Sequence, residues 1–145
     1  MTATARLARS SRSSRTRAAV IVGGAALIAV ALNALVSWVA VSWGAPATYG
    51  PLTLPAHGLF TVLGVVGGWV GWMLVRRRAQ TPDRMLRLLV PVVTLVSFVP
   101  DVLLLAFGFI PGTTTLAVLA LMVMHIVVVA VAVPAYVLAS RGPRG

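Results

Sequence analysis

Four long apolar stretches alternate with short polar ones, and nearly all of the charge sits in the polar stretches. The apolar runs cover about 18–43, 57–75, 88–110 and 114–139. A helix crosses the hydrocarbon layer with about 20 apolar residues, so each run predicts one spanning helix. The predicted fold is an all-α, integral membrane four-helix transmembrane bundle over 18–140. A disordered basic arm (1–17) precedes it and a basic tail (141–145) follows. Ala45-Pro46-Ala47 has the look of a signal-peptide cleavage site. The run before it exceeds the roughly 7–15 apolar residues of a signal peptide, so it reads as a span.

Each run carries its small and polar residues on one face. Ala26, Ala29, Asn33, Ser37, Ala40 and Gly44 share a face of the first span. His57, Thr61, Gly64, Gly68 and Gly71 share a face of the second, where Gly64/Gly68 and Gly67/Gly71 form two overlapping G-x-x-x-G spacings. Such spacings let helix backbones approach closely. They serve either packing within the chain or a homo-oligomer through the second span. The third run contains Pro91 and Pro100, each expected to kink the helix, and a polar stripe of Thr94, Ser97 and Asp101. In the fourth, Met122, His125, Val129, Ala132 and Tyr136 share a face. Between spans, Thr81-Pro82-Asp83 reads as a helix start, and Thr113 after the Pro111-Gly112 turn reads as an N-cap. Tyr49 and Leu52 are placed to close the bundle end, Trp38 and Trp43 at the outer interface, and Trp69 and Trp72 toward the inner one.

Charge fixes an expected orientation. All twelve basic residues are arginines, five in the arm, five in the middle loop and two in the tail. The other two connections have none. Cytoplasmic N and C termini satisfy the positive-inside rule, which predicts a multi-pass protein of the cell membrane. Arg76, Arg77, Arg78, Arg84 and Arg87 then set topology and meet lipid headgroups. The formal net charge of +10 would point to nucleic acid in a soluble protein, but 59% hydrophobic residues and a mean hydropathy of +1.00 make the lipid bilayer the partner. Absence of cysteine excludes thiol redox chemistry and disulfides.

Candidate chemistry is sparse. Asp101 is the membrane-depth carboxylate, since the only other acid, Asp83, lies in the arginine-rich loop. Counted from span centres, Asp101 lies about 5 Å, Asn33 about 4 Å and His125 about 1.5 Å toward the outside. Counted from the Pro111 turn, Asp101 and His125 are offset by about 6 Å, so a direct contact is not forced. An unpaired charge at that depth costs at least about 2.5–3.5 kcal/mol, so Asp101 should face the bundle interior. The candidate intramembrane site is Asp101 and His125 with Asn33, Ser97 and Thr94 as supports. It is either an interhelical clamp, the favoured reading, or a proton- or small-cation-responsive unit. His57 lies about 12 Å from the level of His125, which argues against a bis-histidine haem or a three-ligand zinc. No metal, cofactor or catalytic residue is expected, and the chain does not read as an enzyme.

Arg87-Leu88-Leu89-Val90 leading to Ser97-Phe98-Val99-Pro100, then Thr114-Thr115-Leu116, Leu121-Met122-Val123-Met124-His125 and Pro134, form a pattern. In it the chain resembles the actinobacterial four-span proteins of domain-of-unknown-function family 6069, over roughly 18–140. The resemblance implies a small integral membrane protein and no particular reaction. The expected function is therefore a structural or interaction role, with self-association or an unidentified membrane partner. The alternative is a minimal transport or sensing unit for protons or a small cation.

Overall fold

The computed structural model describes residues 3–141, with side chains from Ser14 onward. Helix α1 spans Ala3–Ser42, α2 Leu54–Arg78, α3 Pro82–Ser97, α4 Val99–Phe107 and α5 Thr115–Ser140. A short 3-10 turn, Gly50–Leu52, lies between α1 and α2. No strand occurs among the described residues. Four segments are long and apolar enough to cross a membrane: 14–42, 54–78, 82–107 and 115–140. The protein is an all-α multi-pass membrane protein.

Helix α1 begins well before the first apolar run. The Ser/Arg-rich stretch predicted as a disordered arm is helical from Ala3. Alanine and arginine are strong helix formers, and adding turns to an existing helix avoids the cost of nucleation. Residues 1–2 and 142–145 of the predicted arm and tail lie outside the described residues. At its other end α1 stops at Ser42, and two residues on Gly44 takes a φ of +107°, which suits a residue without Cβ.

Neighbouring spans are antiparallel. Arg17 on α1 donates to the Arg141 carbonyl after α5, and Arg76 on α2 pairs with Asp83 on α3. Asp101 on α4 meets His125 on α5. These contacts bring the described arginines to one end of the bundle. At the opposite end Tyr49 and Leu52 are buried against Ala40, Ala117, Ala120, Leu121 and Met124. Trp38 and Trp43 are exposed near that end. Trp72 instead turns inward and is buried, with Trp69 packed against the same core.

The core runs along α1, α2 and α5, and the α1–α5 interface is the most extensive. Val22, Ala26 and Ala29 meet Val65, Trp72, Ala132 and Tyr136 there. Large residues on the outside, such as Leu27, Ile28, Phe60 and Leu63, are exposed, as befits a surface solvated by lipid. The third span is peripheral: only 6% of its apolar window is buried, against 33% for α5. It also breaks once, at Phe98, while Pro91 sits inside an unbroken α3. Pro100 has no N–H for the Val96 carbonyl. The Phe98 amide bonds Leu95 O at 3.2 Å, one residue short of the α pattern, and Val102 N resumes the helix on Phe98 O.

Helix α4 ends at Phe107, where Gly108 takes φ +60°. The connection 108–114 contains the tight turn expected at Pro111-Gly112: Thr113 N donates to Ile110 O at 3.2 Å and Gly112 takes φ +83°. Thr114, not Thr113, caps α5: its Oγ1 accepts from the Ala117 amide at 3.2 Å. Thr113 Oγ1 donates to Ile110 O at 2.7 Å. Truncating the cap separates these roles. Thr114→Ala should lower stability by about 0.5–2 kcal/mol, measured by denaturant titration in micelles, whereas a loss of that size only in Thr113→Ala would place the cap at Thr113.

Candidate functional site

The break at Phe98 puts Asp101 in the first turn of α4, where a helix favours negative charge. Asp101 is buried, 4% exposed, against α5. Its Oδ2 lies 3.2 Å from His125 Nδ1. The same Nδ1 lies 2.8 Å from the Leu121 carbonyl. A carbonyl oxygen only accepts, so Nδ1 carries a hydrogen and donates it to Leu121. Asp101 Oδ2 has no hydrogen-bond partner of good geometry, and its contact with the imidazole is mainly electrostatic. The Phe98 ring stands at 90° to the imidazole, with centroids 6.1 Å apart. Because α4 stops at Phe107, the connection 108–114 absorbs the register offset that made this pairing uncertain from counting alone.

The other three members of the predicted cluster are engaged elsewhere. Thr94 Oγ1 donates to Val90 O at 2.8 Å, and Ser97 Oγ donates to Thr94 O at 2.7 Å. The Ser97 bond satisfies a carbonyl left without the Phe98 amide. Helical Ser and Thr always have such carbonyls within reach. Asn33 Nδ2 donates to Thr61 Oγ1 at 2.8 Å, joining α1 to α2. Ser37 Oγ extends the same seam to Leu52 O at 2.7 Å. Asn33 Oδ1 and His57 Nδ1 are buried without a hydrogen-bond partner. Among the described residues, no three histidine, cysteine or acidic side chains gather into a group.

The glycine face divides in two. A Cβ on Gly64 would meet Val128 of α5 at 3.9 Å, and one on Gly68 would fall 2.6 Å from Tyr136 Oη. Gly67 and Gly71 face open space. Close approach at Gly68 lets Tyr136 reach across α2 and donate to Val65 O at 2.5 Å. Trp69 and Trp72 flank its ring at 5.6 and 5.7 Å. Tyr136 is buried, and the sequence pattern alone does not identify Val65 O as its partner. Its signal is a buried hydroxyl that needs an acceptor, facing a helix with a glycine gap.

Of the predicted headgroup residues, Arg76 Nη1 lies 3.2 Å from Asp83 Oδ1, and Arg87 Nε donates to Asp83 O at 3.3 Å. Arg77, Arg78 and Arg84 are exposed at the same end. The Arg76–Asp83 pair is partly to largely exposed, and such pairs contribute about 0–1 kcal/mol.

A double-mutant cycle tests the Gly68–Tyr136 contact. Gly68→Ala should cost about 1–3 kcal/mol by overpacking, and less in a Tyr136→Phe background, where the crowding hydroxyl is gone. Equal costs in both backgrounds would show that the hydroxyl does not sit over Gly68.

Comparison with known families matches residues 8–142 to a family of unknown function, DUF6069. No curated protein and no solved structure matches the chain.

Proposed function

Because the chain belongs to the family of unknown function DUF6069, which supplies no reaction, we propose its role from its polar contacts. It is a small, non-enzymatic protein of the cell membrane with a structural or interaction role. Its arginine end faces the cytoplasm. One observation carries the reading: the polar groups at membrane depth join helix to helix or bond their own backbone. Asn33 bonds Thr61, Ser37 bonds Leu52 O, Tyr136 bonds Val65 O, and Asp101 pairs with His125. Thr94 and Ser97 bond carbonyls of α3. Asp101–His125 is then the clamp that holds the third span on α5.

The clamp is tested with Asp101→Asn and Asp101→Leu. Asn keeps a polar side chain and should leave the fold intact. Leu should weaken docking of the third span by about 0.6–1.7 kcal/mol, the range of interhelical polar bonds, read as destabilisation in mixed micelles. Wild-type protein in liposomes should carry no proton flux. A flux that Asp101→Asn abolishes in a folded protein would replace the clamp with the alternative proton- or cation-responsive unit, which the direct Asp101–His125 contact keeps in view.

Self-association is the interaction favoured by a specific feature. Gly67 and Gly71 present a G-x-x-x-G face with nothing within 4 Å, while Gly64 and Gly68 pack inside the chain. Crosslinking in membranes should yield a dimer that Gly67→Leu removes without unfolding the monomer. Crosslinking that finds monomer alone, or a dimer indifferent to Gly67→Leu, would contradict this assembly.

A further inference from the structure

At the arginine end, a groove of about 800 Å³ opens between α1, α2 and the end of α5. Its head is lined by Arg15, Arg17, Arg76, Arg77 and Arg141. The sequence has only two acids to oppose them. Asp83 pairs with Arg76, and Asp101 lies deep against His125. Among the described residues, Arg76 is the one of these five whose guanidinium pairs with a carboxylate. Arg17 also bonds the Arg141 carbonyl at 3.1 Å, which fixes the α1 and α5 sides of the groove together.

Away from the arginines the lining becomes apolar. Gly23 and Ala26 form the α1 wall, and Val62 and Val66 form the α2 wall. From Arg15 to Ala26 the α1 wall runs about 16 Å at 1.5 Å per residue, and from Arg77 to Val62 the α2 wall runs about 22 Å. Half the hydrocarbon thickness of a bilayer is about 15 Å. The groove thus reaches from headgroup level to about mid-bilayer, the depth of one leaflet. A soluble anion would use only its charged head. Small side chains create the apolar part, since a Cβ on Gly23 meets nothing within 4 Å.

We propose that this groove is a binding site for an anionic phospholipid, its phosphate held by the arginine head and an acyl chain lying along Gly23, Ala26, Val62 and Val66. The site goes beyond general attraction of a basic surface to the headgroup layer, because it needs the apolar trough as well as the charge. It rests on the reading that the arginine end lies in a headgroup layer. Arg15, Arg17 and Arg141 join the middle-loop arginines in it, although they are far from them in sequence.

The test is native mass spectrometry of the full-length protein released from bilayers of phosphatidylglycerol and phosphatidylcholine with matched chains. Wild type should retain phosphatidylglycerol in clear excess. Arg15→Gln with Arg77→Gln should lower retention about fivefold for each arginine removed. Gly23→Leu fills the trough, leaves every arginine in place and should lower retention about as far as losing one arginine does. Ala19→Leu, on the same wall, serves as the second filler if Gly23→Leu fails to fold. Retention unchanged in the folded fillers would reduce the effect to surface charge and overturn the site. Displacement of the lipid by millimolar inorganic phosphate would assign the head to a soluble anion and also overturn it. Labelling Gln80→Cys and Ala47→Cys in intact cells with an impermeant reagent checks orientation separately. Reaction at position 80 but not 47 would overturn the cytoplasmic placement while leaving the groove's lipid selectivity to stand or fall on retention.

Discussion

The bundle depends on close approach of α1 to α5 and α2 through alanines. Ala29 and Ala117 are fully buried, and Ala26, Ala40, Ala120 and Ala132 nearly so. In lipid, apolar side chains gain little by leaving a medium that is itself apolar. Association then rests on contact between well-fitted surfaces and on a few polar bonds. Alanine brings backbones close at almost no side-chain entropy cost, and larger residues such as Val65 and Tyr136 fill the spaces left beside it. The Asn33–Thr61 and Tyr136–Val65 bonds then set the register along this seam.

This arrangement assigns Asp101 a different place from the one its chemistry implies. A lone membrane-depth acid invites a bundle organised around it. Instead it lies on the most peripheral span, buried against α5 with His125 Nδ1 3.2 Å from its carboxyl group. The third span is poorly buried and broken at Phe98, so it draws much of its attachment from that contact and from Leu86 and Leu104 against the core. The Pro100 break is what aims the carboxylate. Without it, continuous helical geometry would set the direction of Asp101 relative to Thr94 and Ser97.

Span number, the segregation of arginine to one end and the burial of Asp101 were legible from hydropathy and charge, since both report which medium a residue meets. Helix faces were harder. Lipid-facing and core-facing residues are equally apolar in α2 and α5, so periodicity does not tell Leu63 from Val65. Thr94 and Ser97 share the Asp101 stripe, yet a carbonyl of their own helix is always closer than another helix, and no pattern in the chain reveals that choice. Asn33 lay at a suitable depth for Asp101 but faces Thr61, because depth constrains position along the membrane normal and leaves rotation about the helix free. The glycine spacings were recognised as packing devices. Their division, with Gly68 beneath Tyr136 and Gly67 outside, follows from a contact between α2 and α5 that lies beyond any local window.

The basic end adds a second organising feature, because residues far apart in the chain, from Arg15 to Arg141, converge where α1, α2 and α5 come together. That convergence exists only if the alanine seam holds α1 against α5. Equilibrium unfolding of Ala29→Leu and Leu27→Ala in mixed micelles tests the seam most directly. Ala29 is fully buried and Leu27 is 73% exposed, so the first substitution should cost about 1–3 kcal/mol by overpacking and the second close to nothing. Equal losses, or a larger loss at Leu27, would contradict an alanine seam as the basis of the fold.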